Sequence, residues 1–146
     1  MRDYYNSQFN ETIKQLNNRN EAIIHSQITG EDFVSFQYFL TRNLYYAVII
    51  DDYLFEITDK VSFLEAVYYQ VRLITMHDLN WDALEESLND VLNNFMQFEG
   101  LCLLFRMGNK LKIELAEEFK MLSNIVLNIN KSSERKKITI LLNSID

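Results

Sequence analysis

The sequence predicts an α/β fold in which a small three-stranded parallel sheet lies between layers of helices. Three short apolar runs, Tyr45–Ile50, Leu101–Phe105 and Ile138–Leu142, show no alternation with polar residues. Such continuous runs are typical of strands that are covered on both faces. The stretches between them carry apolar residues at helical spacing, and helical crossovers favour parallel pairing of successive strands. We therefore expect a three-layer arrangement.

The connecting stretches predict the helices in order. After Thr58 and Asp59, either of which could serve as an N-cap, an apolar stripe is formed by Leu64, Val67, Tyr68 and Val71. A second helix is expected to start near Asn80. Gly108 and Asn109 mark a turn after the second strand. Apolar residues then recur at steps of four and three at Leu115, Phe119, Leu122, Val126 and Ile129. The predicted order is β-α-α-β-α-β.

The first 43 residues are predicted to form a helical appendage. Phe9, Ile13 and Leu16 fit one helical face. A second aromatic-rich face is formed by Phe33, Phe36, Phe39 and Leu40, although this aromatic content would also suit a strand. The chain is therefore divided into an N-terminal appendage, residues 1–43, and a main domain, residues 44–146.

The charge of the chain is strongly polarised. The formal net charge is −7, and residues 44–100 alone carry two basic side chains against eleven acidic ones, a net of −9. Nucleic-acid binding needs Lys and Arg at the phosphates, so this middle segment is not expected to bind nucleic acid. It is suited to attracting a basic protein, because complementary charge raises the association rate.

Several other classes are excluded by composition and motif. The sequence has no apolar run near 18 residues and no N-terminal signal pattern, so we expect a cytoplasmic protein without a membrane segment. Its one cysteine, Cys102, lies in an apolar run and is expected to be a core residue. Two His and one Cys do not form a zinc site with the usual spacings. No phosphate loop or hydrolase motif is present, so we expect no cofactor and no catalysis.

The most informative segment runs from Asp78 to Asp90. Read as a helix, it has an apolar face formed by Trp81, Leu84, Leu88, Val91, Leu92 and Phe95. The opposite face carries Asp82, Glu85, Glu86, Asn89 and Asn93, with Asp90 at its margin. No Lys or Arg occurs between Arg72 and Arg106 to neutralise these carboxylates. The face is either a solvated surface or a site kept acidic for a cationic partner.

From about Tyr45 to Leu142 the chain resembles the barstar family of intracellular ribonuclease inhibitors. Ala47–Val67 is similar to the family's first strand, turn and first helix. Asn80–Asp90 resembles its Asn-Trp/Leu-Asp-Ala-Leu helix motif, which is the most specific part of the likeness, and Ile138–Leu142 resembles its closing strand. The resemblance implies a fold with a three-stranded parallel sheet, and an acidic helix that covers the basic active site of a ribonuclease.

The resemblance also implies which residues meet the partner. Asp82 falls on an aspartate that contacts the enzyme, and Glu86 falls on the dominant aspartate, which mimics a substrate phosphate. The expected partner-binding residues are Asp82, Glu86, Glu85, Asn80, Asn89, His77 and Asp78. The chain departs from the family at Glu85, which replaces a tryptophan of barstar, and in the loop before the helix. It also departs near Asn130, which lacks the family's late carboxylate.

Two functions are therefore weighed. The first is an inhibitor or immunity protein that blocks a basic ribonuclease or a related nuclease toxin. The second is a non-inhibitory adaptor that acts through residues 1–43. The aromatic cluster of this segment would then bind a partner helix or a second copy of the chain. The cluster consists of Phe33, Phe36, Tyr38 and Phe39.

Overall fold

A computed structural model of the chain describes residues 2–18, 20–52, 56–74, 78–94, 97–133 and 136–143. The helices in these residues are α1 (Arg2–Leu16), α2 (Phe33–Arg42), α3 (Lys60–Arg72), α4 (Trp81–Asn94), α5 (Gly108–Ile113) and α6 (Ala116–Ser132). The strands are β1 (Ile23–Ser26), β2 (Tyr45–Ile50), β3 (Gly100–Phe105) and β4 (Lys137–Asn143), and a 3-10 turn (Gly30–Asp32) precedes α2.

The strands form one parallel sheet in the order β1-β4-β3-β2. The mixed α/β class, the parallel pairing and the three predicted strands are confirmed. The prediction of only three strands is wrong, because Ile23–Ser26 pairs with residues 140–143 of β4. This strand has four residues and exposes His25, so it lacks the unbroken apolar run that marks a strand covered on both faces.

The N-terminal segment is a helix, a strand and a helix rather than a purely helical appendage. Its strand extends the sheet, and α2 packs directly on β2. The division of the chain into residues 1–43 and 44–146 stays a prediction, and these contacts define how it can be tested. Gly108 and Asn109, predicted as a turn, instead begin the short helix α5.

Alternate side chains of the sheet enter two separate core layers. Leu103, Phe105 and Ile140 point to the layer under α3, α4, α5 and α6. Ala47 and Leu104 point to the opposite layer, which is covered by α1 and α2. Since side chains of a strand alternate between faces, continuous apolar runs are required for both layers to be filled.

The aromatic residues of the N-terminal segment fill this second layer, which we call the N-terminal layer. Phe33 and Phe36 are fully buried, and the ring centroid of Phe36 lies 5.0 Å from that of Phe9, with the two rings tilted by 52°. Phe39 is partly buried against the same cluster, and only Tyr38 of the proposed aromatic interface is exposed, at 67%. The cluster therefore serves mainly as core.

Cys102 lies in the N-terminal layer and is 1% exposed. Burial raises the pKa of its thiol to about 12, partly offset by the charge of Lys137. The expectation that this cysteine is a core residue is confirmed.

Polar contacts hold the N-terminal segment to the sheet at both ends of the strands. At one end the buried Lys137 ammonium donates hydrogen bonds to the backbone carbonyls of Asn18 and Glu21. At the other end, just after β3, Arg106 donates to the Gly30 carbonyl of the N-terminal segment at 3.2 Å. The Arg106 side chain is held there by the Asp51 carboxylate, to which it donates at 2.6 Å. Buried polar groups without partners are costly, so these contacts help to fix the segment in place.

Candidate functional site

Helix α4 begins at an asparagine cap. The Asn80 side-chain oxygen accepts a hydrogen bond from the Ala83 N–H at 2.8 Å, and the Asn80 carbonyl accepts from the Leu84 N–H at 3.2 Å. Asn is among the preferred N-cap residues because its side chain satisfies an otherwise unpaired N–H group. The predicted helix start near Asn80 is confirmed, and the structure gives this residue a capping role.

The apolar side of α4 fixes which of its side chains face outward. Four side chains are buried in the main core, Leu84, Leu88, Val91 and Leu92. Trp81 is half-buried against the same core, with its ring 6.1 Å from that of Phe63. The polar side chains of α4 consequently project from the protein surface.

Helix α3 lies beside α4 and is anchored at both ends. At its start, Asp59 and Ser62 form a capping box. The hydrogen bonds from the Ser62 backbone and hydroxyl hold the pKa of Asp59 below its usual value. At its end, the Tyr46 hydroxyl of β2 donates to the Val71 carbonyl at 2.7 Å. Burial raises the pKa of Tyr46, and the nearby Arg72 charge partly offsets the rise.

An open groove of about 730 Å³ runs between α3 and α4. It is lined by Tyr68 and Arg72 of α3, by Asp78, and by Ala83, Glu86, Ser87, Asn89, Asp90, Asn93 and Asn94 of α4. Nothing in the residue pattern predicted a cleft beside the acidic helix, and the concavity results from the packing of α4 beside α3. We call it the acidic groove.

The groove divides the predicted site. Glu86, Asn89 and Asp78 line it and are exposed. Asp82 is exposed on the same helix but lies outside the lining, as does the half-buried Glu85. His77 lies outside the described residues. The predicted binding residues are thus divided between the groove and the surface of α4 outside it.

One carboxylate of the groove is already paired within the chain. Arg72 Nη1 lies 2.8 Å from Asp90 Oδ2, and the Asn94 side chain donates to Asp90 Oδ1. The expectation that no cation neutralises the acidic face is therefore wrong at Asp90. Among the residues that the structure describes, Asp78, Asp82, Glu85 and Glu86 have no ion-pair partner.

The sequence did not indicate that α3 contributes to this site. Tyr68 was assigned to an apolar stripe, and Arg72 lies 18 positions before Asp90. Helical periodicity relates residues three or four apart on one helix, so it cannot show a contact across a helix pair. The sequence feature that comes closest to indicating this contact is Arg72 itself, a basic residue in the last turn of α3.

The chemistry available here is binding by carboxylates and amides. Within the described ranges, no group of three or more His, Cys, Asp or Glu side chains could hold a metal ion. None of the described helices has the length and apolar character needed to cross a membrane. The groove is open, and the hydroxyl of Ser87, which lines it, has no hydrogen-bond partner among the described residues and so no base that would activate it.

Replacement of the α4 cap gives a first test of this local structure. Asn80→Ala is expected to lower the free energy of unfolding by about 1 kcal/mol, because the Ala83 N–H loses its acceptor. Asn80→Ser, which keeps an acceptor oxygen, should stay near wild type. Urea unfolding followed by circular dichroism measures both. Equal stability of Asn80→Ala and wild type would show that the cap contributes nothing.

The fold and the site define an α/β protein with an open acidic groove between two neighbouring helices, α3 and α4, that cover one face of its sheet. A family model described as Barstar (barnase inhibitor) matches residues 50–144. The match covers more than half of the chain, from the end of β2 to the end of the sheet, and the chain belongs to the barstar family. No curated protein and no solved structure matches the chain.

Proposed function

We propose that this chain is an inhibitor or immunity protein that blocks the basic active site of a ribonuclease or related nuclease toxin. The observation that carries the proposal is the family match together with the position of Glu86. The resemblance of Asn80–Asp90 to the family's helix motif implies that Glu86 occupies the dominant contact position, and Glu86 is exposed and lines the acidic groove. The proposed inhibitor has no catalytic activity of its own and acts in the cytoplasm.

The proposed mechanism is mimicry of the substrate's phosphates. A nuclease that binds RNA presents Arg, Lys or His side chains to phosphate oxygens, and these side chains also bind carboxylates well. Glu86 and Asp82 would occupy the phosphate-binding positions, with Asp78 and Glu85 flanking them. Asn89 would donate or accept at the edge of the contact.

Charge would act in two stages of binding. The uneven distribution of charge first steers a basic partner towards α4, which raises the association rate at low salt. Water is then excluded around the pairs, and their desolvated hydrogen bonds slow dissociation. The side chains of α4 are held by a capped helix on a rigid sheet, so little ordering is needed on binding.

The double variant Asp82→Asn/Glu86→Gln tests this proposal, because it removes two charges while keeping the shapes of the side chains. Both residues are exposed, so the fold is expected to survive. Affinity for the nuclease should fall about 100-fold or more, since each lost charge pair at such an interface typically costs ~2 kcal/mol or more.

The matched control is Glu11→Gln/Glu31→Gln, which removes the same charge from exposed positions in the N-terminal segment. Wild type and both variants are immobilised to capture a nuclease from the producing organism. Inhibition of RNA cleavage is then titrated with the captured enzyme and with barnase. Loss of inhibition in the α4 variant alone supports the proposal. Equal titration curves for both variants, or no inhibition of any nuclease by wild type, would rule it out.

The adaptor hypothesis gains no specific support. Phe33 and Phe36 are fully buried in the N-terminal layer and Phe39 is partly buried against it, so little of the cluster is available to a partner helix. Tyr38 remains on the surface, with the Arg42 guanidinium 5.9 Å above its ring. Self-association through residues 1–43 stays a prediction.

A further inference from the structure

The Arg72–Asp90 ion pair bridges the two walls of the acidic groove. The side chains of Arg72 and Asp90 are 32% and 50% exposed. A pair as exposed as this contributes little to folding stability, because water screens it and two long side chains are ordered to form it. Stability alone therefore gives a weak account of why α3 places a cation inside an otherwise acidic groove.

The ion pair is an example of a guanidinium group, that of Arg72, bound by a carboxylate inside the groove. Arg72 lines the groove together with Asp78 and Glu86, and its Nη1 atom is bound at 2.8 Å by an Asp90 oxygen. The other Asp90 oxygen accepts from Asn94. Both oxygens of Asp90 are thus used within the chain, whereas Glu86 has no ion-pair partner among the described residues. The groove therefore has one end where the carboxylate, Asp90, is paired within the chain, and another end where the carboxylate, Glu86, has no cationic partner among the described residues.

We propose that Arg72 is a specificity-determining residue of the acidic groove. By holding Asp90, it withholds that carboxylate from partners and confines the accessible negative charge to Glu86, Asp82 and Asp78. The partner that fits is a basic protein whose cationic side chains reach the start of α4 and leave the Asp90 end uncovered. This inference rests on the proposed function, because it concerns the partner of the same site.

The test compares the binding of one simple cationic probe, a synthetic hexa-arginine peptide, to four variants. Arg72→Met removes the internal cation and exposes Asp90. Lys14→Met removes the same charge from an exposed position on α1, in the layer on the opposite side of the sheet. Arg72→Lys keeps the charge. Arg72→Met/Asp90→Asn removes both partners and restores the local charge.

In about 0.1 M salt, Arg72→Met is expected to bind the peptide about fivefold more tightly than wild type, because the added charge lies within a few ångströms of the bound cations. Lys14→Met should change affinity less than about twofold, since the Debye length at this salt concentration is about 10 Å and Lys14 lies on the opposite side of the sheet. Arg72→Lys and the double variant should stay close to wild type. The gain should vanish in 1 M salt.

Equal affinities of Arg72→Met and Lys14→Met would overturn the inference, since the effect would then be one of net charge alone. Weaker binding by Arg72→Met would also overturn it and would indicate that Arg72 positions the carboxylates. Thermal unfolding of each variant confirms that it is folded. A failure here with nuclease inhibition intact leaves the proposed function standing, whereas a failure of the Asp82→Asn/Glu86→Gln test removes the proposed function itself.

Discussion

A chain that starts at residue 44 is expected not to fold cooperatively, because the N-terminal segment covers a complete face of the sheet. Ala47, Cys102, Leu104 and Leu141 are at most 5% exposed in the whole chain, and their cover is α1 and α2. Burying a large apolar side chain contributes ~1.5–3 kcal/mol, and a whole domain is stable by only ~5–15 kcal/mol.

The truncation would remove more than apolar cover. Strand β4 would lose its neighbour β1 and become an exposed edge, which favours aggregation. The buried Lys137 ammonium would lose its acceptors at Asn18 and Glu21. We expect the truncated chain to aggregate or to unfold without a sharp transition.

Urea unfolding followed by circular dichroism, together with size-exclusion chromatography, measures this outcome. A peptide of residues 1–43 added in trans serves as the control and should restore part of the native signal. The expectation would be contradicted if the 44–146 chain alone were monomeric and unfolded in a sharp transition. It would instead support the division of the chain after residue 43.

The second large effect concerns Phe36, which distinguishes core from interface in the N-terminal layer. Phe36 is 0% exposed, and its ring centroid lies 5.0 Å from that of Phe9 and 6.1 Å from that of Phe39. Phe36→Ala is expected to lower the free energy of unfolding by ~3–5 kcal/mol, through lost burial and the cavity left behind. Equilibrium urea denaturation measures the loss.

Tyr38 supplies the matched control two positions further along the same helix. It is 67% exposed, and Tyr38→Ala is expected to change stability by no more than about 0.5 kcal/mol. A large loss at Tyr38 with a small one at Phe36 would mean that α2 presents the other face to the sheet. The adaptor hypothesis would then regain its aromatic surface.

The strands show where sequence patterns are sufficient and where they fail. β2, β3 and β4 are buried on both faces, so their sequences are continuous apolar runs that only a covered strand tolerates. β1 is a four-residue edge strand with an exposed His25. Its pairing depends on the position of β4, more than 110 residues away in the chain. No local pattern contains that information.

The site shows the same limit. The two faces of α4 follow from helical periodicity, and the cap at Asn80 follows from the residue type, so both were predictable. The acidic groove depends on how closely α3 lies beside α4, and the Arg72 contact depends on that spacing. Both are set by side chains in the core between the helices, and a pattern read along one helix does not report them.

Because Cys102 is buried between the sheet and the N-terminal layer, its reactivity can report when this layer separates from the sheet. Cys102 holds the chain's one thiol, and it lies beneath α1 and α2 with a pKa of about 12. Thiol reagents attack the thiolate and need access to the sulfur, so labelling can proceed only while the N-terminal layer is lifted from the sheet. When opening and closing are fast relative to labelling, the labelling rate of the unmodified protein, divided by that of the unfolded chain, therefore measures the fraction of time for which Cys102 is exposed.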